Sequence, residues 1–266
     1  PLGEPGPAYT AGENISISGS VIATKAFPCN PNLLDNWYFG NPVNQRGASG
    51  TISTEGYFFD RWKLVSGSVT INSGGIVLNG TIAQVLEYAV GQTVTATVLT
   101  PDGVTDVTPV YDDETKTFTV TTQGKTIKAV KLELGTQQTL AHQENGAWGL
   151  NEIPDYGEQL RRCQRYCFVW GYGAKKTSCL AVMQCVQPGV LFGLIPTPVT
   201  MRNNPVATGG SLTTFAGNVT SLGNLITCAN GIRAVANIEG TSTSQGQAVG
   251  VENADDNGRV IFSADL

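Results

Sequence analysis

The chain has 266 residues and a mass of 28.0 kDa, which is enough for one large domain or two domains of ordinary size. Its net charge of −5 argues against general binding to nucleic acid or to an anionic membrane, because both need a basic surface. No apolar stretch approaches the roughly 18 residues that a membrane-spanning helix needs, so we predict no membrane insertion.

The first 31 residues predict a stalk. In residues 1–8 glycine recurs at every third position beside proline, which is the collagen pattern, with a cloning scar or a flexible leader as the alternative. In residues 9–31, Ile15 and Ile17 alternate with serine before a turn, which predicts a short β-hairpin. Because two strands alone are marginally stable in water, we expect this connector to associate with copies of itself as a homotrimer.

Residues 32–143 predict a β-sandwich or jelly roll. Short strand candidates rich in β-branched residues recur between glycine-containing turn signals. Near the end of this segment, Val130 and Leu132 alternate with Lys131 and Glu133, which is the pattern of a half-buried strand.

A linker and one helix are predicted for residues 144–170. Asp155 and Glu158 have the spacing of a capping box at the start of the helix. One apolar stripe of this helix consists of Tyr156, Leu160, Cys163 and Cys167. Because a lone helix must bury such a stripe, these four residues are the candidate trimer interface. The other faces carry Arg161, Arg162 and Arg165, for which exposure to solvent is favoured over contact with acidic groups.

Residues 171–266 predict a second β-sandwich, which would be the receptor-binding head. Residues 1–150 hold 8 basic and 13 acidic side chains, whereas residues 151–266 hold 8 of each. The neutral C-terminal part is rich in Asn, Gln, Ser and Thr, a composition that favours hydrogen bonding to neutral partners such as sugars. Its loops supply the candidate binding residues Arg202, Asn203, Asn204, Ser211, Gln245 and Gln247.

The segment Asp60-Arg61-Trp62 has two interpretations. The favoured one buries Trp62 in the sandwich core while Asp60 and Arg61 pair locally. The alternative is a binding cluster in which Trp62 is a platform for a sugar ring.

No catalytic residues, metal ligands or cofactor are predicted. The sequence has no Gly-x-Ser-x-Gly motif, and its single histidine, His142, lies near no obvious partner, so we predict that the protein is not an enzyme. A pair of distant carboxylates of a glycosidase is left open. The six cysteines form no Cys-x-x-Cys pair, which favours buried free thiols over disulfides or a thiol metal site.

Five segments share one likeness: residues 9–24, 32–47, 56–62, 131–135 and 154–166. They resemble, in order, the connector after collagen-like repeats, the opening and later motifs of a jelly-roll carbohydrate-binding-like domain, and a linking helix. Together they are similar to collagen-like tail-fibre (receptor-binding) proteins of phages and prophages from Gram-positive bacteria. The likeness covers residues 8–170, and beyond it the general β pattern and the Ser-Ala-Asp-Leu ending agree.

The resemblance implies a homotrimeric virion fibre that is made in the host cytoplasm, acts outside the cell and binds a host surface glycan. It also implies contact with other virion proteins through an upstream region, and it leaves open a structural calcium ion without assigned ligands. A purely structural fibre or capsid decoration protein is the alternative, and a polysaccharide-degrading tail enzyme is the second alternative. Because the collagen-like leader puts the attachment end at the N-terminus, we predict the receptor site within residues 171–266.

The predicted fold class is therefore all-β, with two β-sandwich or jelly-roll domains joined by one short helix. A collagen-like and β-hairpin stalk precedes them.

Overall fold

The computed structural model describes residues 29–171, 178–240, 242–255 and 259–265, together with the strands at 15–18 and 21–24. Strands account for 53% of the structure and helix for 4%, so the predicted all-β fold is confirmed. Across these ranges, no helix has the length and apolar character needed to cross a membrane. The predicted collagen-like segment at 1–8 lies outside the described residues.

The predicted N-terminal hairpin is present. Strands β1 (Ile15–Ser18) and β2 (Val21–Thr24) pair antiparallel, with Ile17 opposite Ile22. This part of the connector prediction is confirmed, while its association with other copies stays a prediction.

The first β unit is a sandwich. Its larger sheet contains β3 (Thr51–Ile52), β4 (Gly56–Phe59), β5 (Trp62–Asn72), β6 (Gly75–Val85), β8 (Val110–Asp112) and β9 (Thr117–Ile127), and the facing sheet pairs β7 (Val94–Leu99) with β10 (Ala129–Leu134). Apolar residues of both sheets form one core, which includes Trp37 and Trp62. Alternate residues of β9 enter this core, as the period-2 pattern predicts.

Strand β10 differs from the half-buried strand that its alternation predicts. Lys131 and Glu133 are as buried as Val130 and Leu132, because residues 29–34 and 136–141 cover the second face of the strand. The Lys131 Nζ donates to the Thr139 hydroxyl at 2.9 Å and lies 3.7 Å from Glu133 Oε2. On that face of the strand, the Lys131 ammonium is therefore paired with Glu133 and Thr139 instead of with water.

A second hairpin occupies the start of the predicted linker. Strands β11 (Ala141–Glu144) and β12 (Ala147–Leu150) pair antiparallel, and both Asn145 and Gly146 at their turn have positive φ. This Asn-Gly pair is the signal of a type I′ turn, so the linker prediction for 144–150 is wrong for a reason readable in the sequence.

The helix is shorter than predicted. Helix α1 (Tyr156–Gln164) begins with Asp155, whose carboxylate accepts from the Glu158 N–H at 2.8 Å, as the capping motif predicts. It ends three residues before Cys167, which begins strand β13 (Cys167–Trp170).

The second β unit contains a closed barrel and a small sheet. The barrel contains, in spatial order, β14 (Cys179–Gln187), β15 (Val190–Pro196), β19 (Gly231–Ile238), β18 (Gly217–Cys228), β17 (Leu212–Thr214) and β20 (Ala248–Asn253). The three-stranded sheet has β21 (Val260–Ser263) between β13 and β16 (Val206–Thr208).

The closed barrel corrects the predicted second sandwich. Register shifts interrupt β18 at two places and β14 at two places, and such bulges bend strands and increase their twist. The bending brings β20 against β14, so the sheet closes on itself and leaves no free edge among these six strands. A period-2 pattern is common to sandwiches and barrels and does not distinguish them.

Strand β21 shares its core with the barrel. Phe262 is fully buried in the same apolar cluster as Ile195, Ile232 and Val251. The small sheet is therefore part of the folding unit that contains the barrel.

We expect Phe262→Ala to lower the free energy of unfolding by about 3–5 kcal/mol, because it leaves a cavity in this shared core. The matched control is Phe215→Ala in the same unit, where the ring is 67% exposed and the cost should stay within about 0.5 kcal/mol. Urea denaturation followed by tryptophan fluorescence measures both. Equal costs for the two variants would show that β21 does not share the barrel core.

Candidate functional site

Charged side chains line the junction between the two β units. Residues of α1 and β13 contact the first sandwich: the Gln159 side chain accepts from the buried Asn36 N–H at 2.7 Å, and the Cys167 carbonyl accepts from Gln45 Nε2 at 2.8 Å. Glu87 accepts from the Tyr166 hydroxyl at 2.7 Å. The helix is therefore fixed against the sandwich by directional bonds.

Arg61 lies at the centre of this junction. It occupies the turn between β4 and β5, where the core residues Phe59 and Trp62 pair across the turn. Its backbone has φ +72°, a left-handed conformation that costs a non-glycine residue about 1 kcal/mol or more. Burial of the two aromatic neighbours holds Arg61 in this conformation.

The Arg61 guanidinium is 2% exposed and is held on three sides. Its Nε lies 3.2 Å from Asp35 Oδ2, its Nη2 donates to the Val85 carbonyl at 2.6 Å, and its plane lies over Tyr166 at 3.6 Å from the ring centroid. The remaining nitrogen, Nη1, is buried and has no hydrogen-bond partner.

The residues around Arg61 form an open cleft of about 430 Å³, which we call the junction cleft. Its apolar lining residues include Leu33, Leu86, Val90 and Leu134. Its charged lining residues are Asp35, Arg61, Glu87, Arg162 and Arg165, and Tyr88 and Tyr166 also line it. The Tyr88 ring is 76% exposed, so it is free to contact a ligand.

A second hollow beside α1 shares Arg162 and Arg165 with the junction cleft. This hollow of about 410 Å³ is lined by Arg161, Arg162 and Thr200 among others. The prediction favoured exposure of the three helix arginines over contact with acidic groups, yet two of them contact acids: Arg162 Nε lies 2.7 Å from Asp35 Oδ1, and the exposed Arg165 places Nη2 3.0 Å from Glu87 Oε1. Arg161 is exposed, as predicted.

The ionisation states in the cleft follow from these contacts. Burial raises the pKa of Glu87, but hydrogen bonds from Tyr166 and Arg165 outweigh burial, so the pKa of this carboxyl lies below its usual value. Burial raises the pKa of Tyr166 and keeps its hydroxyl a neutral donor. Three arginines then face two carboxylates, which leaves the cleft with one excess positive charge on a protein of net charge −5.

The favoured interpretation of Asp60, Arg61 and Trp62 is half correct. Trp62 is fully buried in the sandwich core, as predicted. Asp60 and Arg61 do not pair locally, because Asp60 lies 3.8 Å from Arg46 and Arg61 pairs with Asp35. The sequence gives no signal for these partners, which lie 14 and 26 residues earlier in the chain.

The predicted binding residues are spread over the barrel. Arg202, Asn203 and Asn204 lie at the end where Pro196 pairs with Gly231, which we call the junction end, whereas Ser211 precedes β17, which pairs with Asn253 of β20 and Asn218 of β18. Gln245 and Gln247 lie at the end where Val190 pairs with Asn237, which we call the far end. The structure therefore does not bring the six residues into one site.

Several of these polar groups close their own loops. The Asn204 side chain accepts from the Thr227 N–H at 2.9 Å, and the Gln247 side chain accepts from the Ser244 N–H at 3.0 Å. The Arg202 N–H donates to the Arg165 carbonyl at 2.8 Å, and Arg202 Nε lies 3.8 Å from Glu87, so this arginine belongs to the junction. Ser211 and Gln245 are exposed.

The predicted helical stripe is split by the structure. Cys163 and Cys167 are fully buried within one chain, where burial raises the pKa of both thiols, so neither side chain has surface to offer to another copy. Tyr156 and Leu160 stay at the surface and line a hollow of about 300 Å³ beside β13. All six cysteines are free thiols, as predicted, but the predicted burial holds only for Cys163, Cys167 and Cys185, since Cys29 and Cys179 are exposed and Cys228 is partly exposed.

The resemblance leaves open a structural calcium ion, whose ligands would be grouped acidic side chains. Within the described ranges, no three His, Cys, Asp or Glu side chains are grouped as metal ligands. Asp113 belongs to the acidic turn at 112–114. Its carboxylate accepts hydrogen bonds from the Val90 and Gly91 N–H groups, so its oxygens hold the neighbouring loop that contains these two residues.

A second charged cluster connects the end of the described chain to the first sandwich. Arg46 lies between Asp60 and Asp265 and forms an ion pair with each. Burial raises the pKa of Asp60 to about 6, although the Gln45 N–H donates to this carboxylate at 2.7 Å. Burial also raises the pKa of Asp265. Burial therefore makes the ionised form of both carboxyl groups less favourable at this contact.

Comparison with protein-family models, curated proteins and solved structures finds no match to this chain. The residues of the junction therefore carry the functional argument by themselves.

We expect the titration of Asp60 alone to lower the free energy of unfolding by about 2 kcal/mol as pH rises from 4 to 7, since one pKa unit corresponds to about 1.4 kcal/mol. The folded chain binds a proton at Asp60 up to a pH of about 6, whereas an unfolded aspartate loses it near 4, so the folded state holds more protons in this interval. Asp60→Asn should reduce this fall, and the exposed Asp102→Asn should not. Urea titrations at fixed protein concentration measure the effect, and a fall that Asp60→Asn leaves unchanged would contradict the assignment.

Proposed function

We propose that the chain is a homotrimeric virion fibre protein that binds a carbohydrate on the host cell surface. The observation that carries the proposal is the junction cleft, which combines apolar lining residues, an exposed tyrosine and several polar groups on rigid elements. Its volume of about 430 Å³ falls in the range of small-molecule sites, and it suits one or two sugar rings. The likeness of residues 8–170 to tail-fibre proteins supports the same proposal.

A structural fibre or capsid decoration protein is the second candidate. It is favoured by the ion pairs of the junction, because Arg165 and Arg202 both approach Glu87 and so cross-link the two β units. In this case the cleft would result from the way the two β units pack and would have no ligand.

The contacts of the two carboxylates argue against a glycan-cleaving enzyme at this site. A glycosidase needs one carboxyl group with a raised pKa as its general acid. The pKa of Glu87 is lowered, and each Asp35 oxygen lies beside an arginine.

We expect Tyr88→Ala to weaken binding to host-derived glycans about tenfold, which is ~1.4 kcal/mol, because it removes the exposed ring from the cleft lining. The control is Phe215→Ala, which removes a similarly exposed ring from the barrel. A glycan array followed by titration of the best ligand measures both. Binding lost in Phe215→Ala and retained in Tyr88→Ala would contradict the cleft and support the predicted site within 171–266.

The outer wall of the barrel is the surface that best suits the trimer contacts. Its outward side chains on β14, β15 and β18 include Val182, Val186, Phe192, Leu194 and Ile226, all exposed. In the strand register, Leu194 and Ile226 lie opposite Arg233, which is positioned over Phe192. Identical copies repel where like charges meet, and the described residues of β14, β15, β18 and β19 include one charged side chain, the exposed Arg233, beside these apolar side chains, so this surface fits a second copy of this chain.

We expect Leu194→Asp to dissociate the trimer, because it forces carboxylates into an apolar contact. The control is Val206→Asp, at an exposed valine outside the barrel (66% against 48% for Leu194), which should leave the trimer intact. Light scattering at micromolar concentration measures the mass. If the unsubstituted chain is a monomer, the trimer proposal is wrong. If Leu160→Asp dissociates the trimer and Leu194→Asp does not, the contact between copies lies at the helix.

A further inference from the structure

The second charged cluster, formed by Arg46, Asp60 and Asp265, joins the two β units through buried side chains. Arg46 and Asp60 belong to the first sandwich, whereas Asp265 follows β21 in the second unit. The side chain of Asp60 is 0% exposed, that of Asp265 is 3% exposed and that of Arg46 is 13% exposed. Since one arginine pairs with two acids, the three side chains carry one excess negative charge when both acids are ionised.

The hydrogen bonds of this cluster are incomplete. Asp60 accepts from the Gln45 N–H at 2.7 Å and Asp265 accepts from the Ser263 hydroxyl at 2.8 Å, in both cases through Oδ2. The Oδ1 atoms of both acids are buried and have no hydrogen-bond partner, and the same holds for Arg46 Nε. An ionised carboxylate accepts at both oxygens, so a buried oxygen without a donor is costly. A proton bound to one Oδ1 would remove the excess charge and turn that oxygen into a donor.

The uncharged groups beside the two acids do not offset this charge. Tyr57, Cys163 and Cys167 interact with Asp60 or Asp265, and burial raises the pKa of all three side chains. They therefore stay protonated near pH 6, where burial places the pKa of Asp60. None of them carries a positive charge that could balance a second carboxylate.

The other arginines near the cluster have partners elsewhere. Arg61 and Arg202 act on Tyr57 and the two acids from a distance, and each forms an ion pair with a carboxylate of the junction cleft. Arg259 donates to the backbone carbonyl of Arg46 at 3.2 Å, which is a bond to the chain and not to a carboxylate. The charge balance of the cluster therefore depends on Arg46 and on bound protons.

We propose that the Asp60–Arg46–Asp265 cluster is a pH-dependent latch between the two β units, which is closed when one carboxyl group is protonated and opens when both are ionised. With one proton bound, one arginine faces one carboxylate, and an Oδ1 gains the hydrogen that it lacks. Ionisation of the second acid places two carboxylates beside one arginine in a buried contact, where like charges repel. Because a proton exchanges during brief local openings, the burial of these oxygens does not prevent its binding.

Opening of the latch loosens one of two attachments of the barrel unit. At the latch, residues 44–47 contact this unit, and Gln45 Nε2 also donates to the Cys167 carbonyl at 2.8 Å. The second attachment includes Arg202, which lies 3.8 Å from Glu87, and the pKa of Glu87 lies below its usual value, so this pair persists. The barrel unit is thus held at two places at acidic pH and at one place near neutral pH, where it can change its orientation. This inference concerns only how the units are held and does not rest on the proposed ligand.

The direction of the pH effect follows from proton linkage. Opening exposes Asp60 to water and restores its ordinary pKa of 3.8, against about 6 in the closed latch, so the closed state binds the proton more tightly. The stabilisation of the closed latch is therefore complete below the ordinary value and is lost as pH rises through about 6. Burial also raises the pKa of Asp265, so the titration of this acid acts in the same direction.

The test is hydrogen–deuterium exchange of the full chain at pH 4 and pH 7, with rates corrected for the intrinsic effect of pH on exchange. Peptides that contain residues 44–48 and 259–265 measure the latch, and a peptide within β19 measures unfolding of the whole chain. We expect protection at the latch to fall at least about tenfold from pH 4 to pH 7, since one pKa unit is a tenfold change in an equilibrium. Unchanged protection, or equal protection at the latch and in β19, would overturn the proposal.

Variants assign the effect to the cluster. Asp60→Asn and Asp265→Asn each leave one carboxylate for Arg46, so protection at the latch should stay high and nearly independent of pH in both. Arg46→Gln removes the cation that favours the ionised acids, so the fall in protection should move to higher pH. The matched control is Asp102→Asn, at an exposed aspartate, which should keep the fall of the unsubstituted chain. A fall that persists in both Asp60→Asn and Asp265→Asn would show that another group titrates, and the latch would be wrong.

Discussion

Ion pairs and hydrogen bonds between the first sandwich and helix α1 determine how the two β units meet. Each unit has its own apolar core, so neither needs the other to bury its hydrophobic residues. Glu87 and Asp35 of the sandwich face Arg162, Arg165 and Arg202 of the second half of the chain. Because an unpaired charge at such a contact is costly, the pairs contribute more to a defined arrangement than to net stability.

The cleft exists because of this arrangement. Arg61 belongs to the sandwich, whereas Arg162, Arg165 and Tyr166 come from the helix and its end, so the site is complete only when the units are docked. The Tyr166 ring takes part twice, since it lies over the Arg61 guanidinium and donates its hydroxyl to Glu87. In the proposed site, ligand contacts and the geometry of the junction would therefore depend on the same side chains.

The sequence predicts the features that depend on local patterns. The all-β class, the start of α1 at Asp155 and the burial of Trp62 follow from alternation, capping chemistry and aromatic content. The closure of the barrel depends on register shifts, and the burial of Lys131 depends on a distant segment, so alternation alone gives neither. The Asn145-Gly146 pair is a turn signal in the sequence, but the composition of the segment around it is also typical of a linker.

The candidate site was much less predictable than the fold. Arg61 was visible as part of a motif, but its partner Asp35 lies 26 residues away and Tyr166 more than a hundred. The candidate loop residues follow from the composition of the C-terminal part, and the structure spreads them over the barrel, where Asn204 and Gln247 close loops. Pairing of charges across a tertiary contact has no signature in a single sequence.

The pairing of β13 with β21 has a consequence for how this protein can vary. Trp170 lies directly opposite Val260, so the chain enters and leaves the segment between them at adjacent points of one small sheet. This segment contains all six barrel strands and returns to its starting place beside the junction. It is arranged as an insertion whose two ends lie close together, and it contacts its base again where β16 pairs with β21 and where Arg202 approaches Glu87. A different domain with closely spaced ends could occupy this place while the sandwich and helix α1 kept their mutual contacts, so the fold suits the exchange of heads on a constant base.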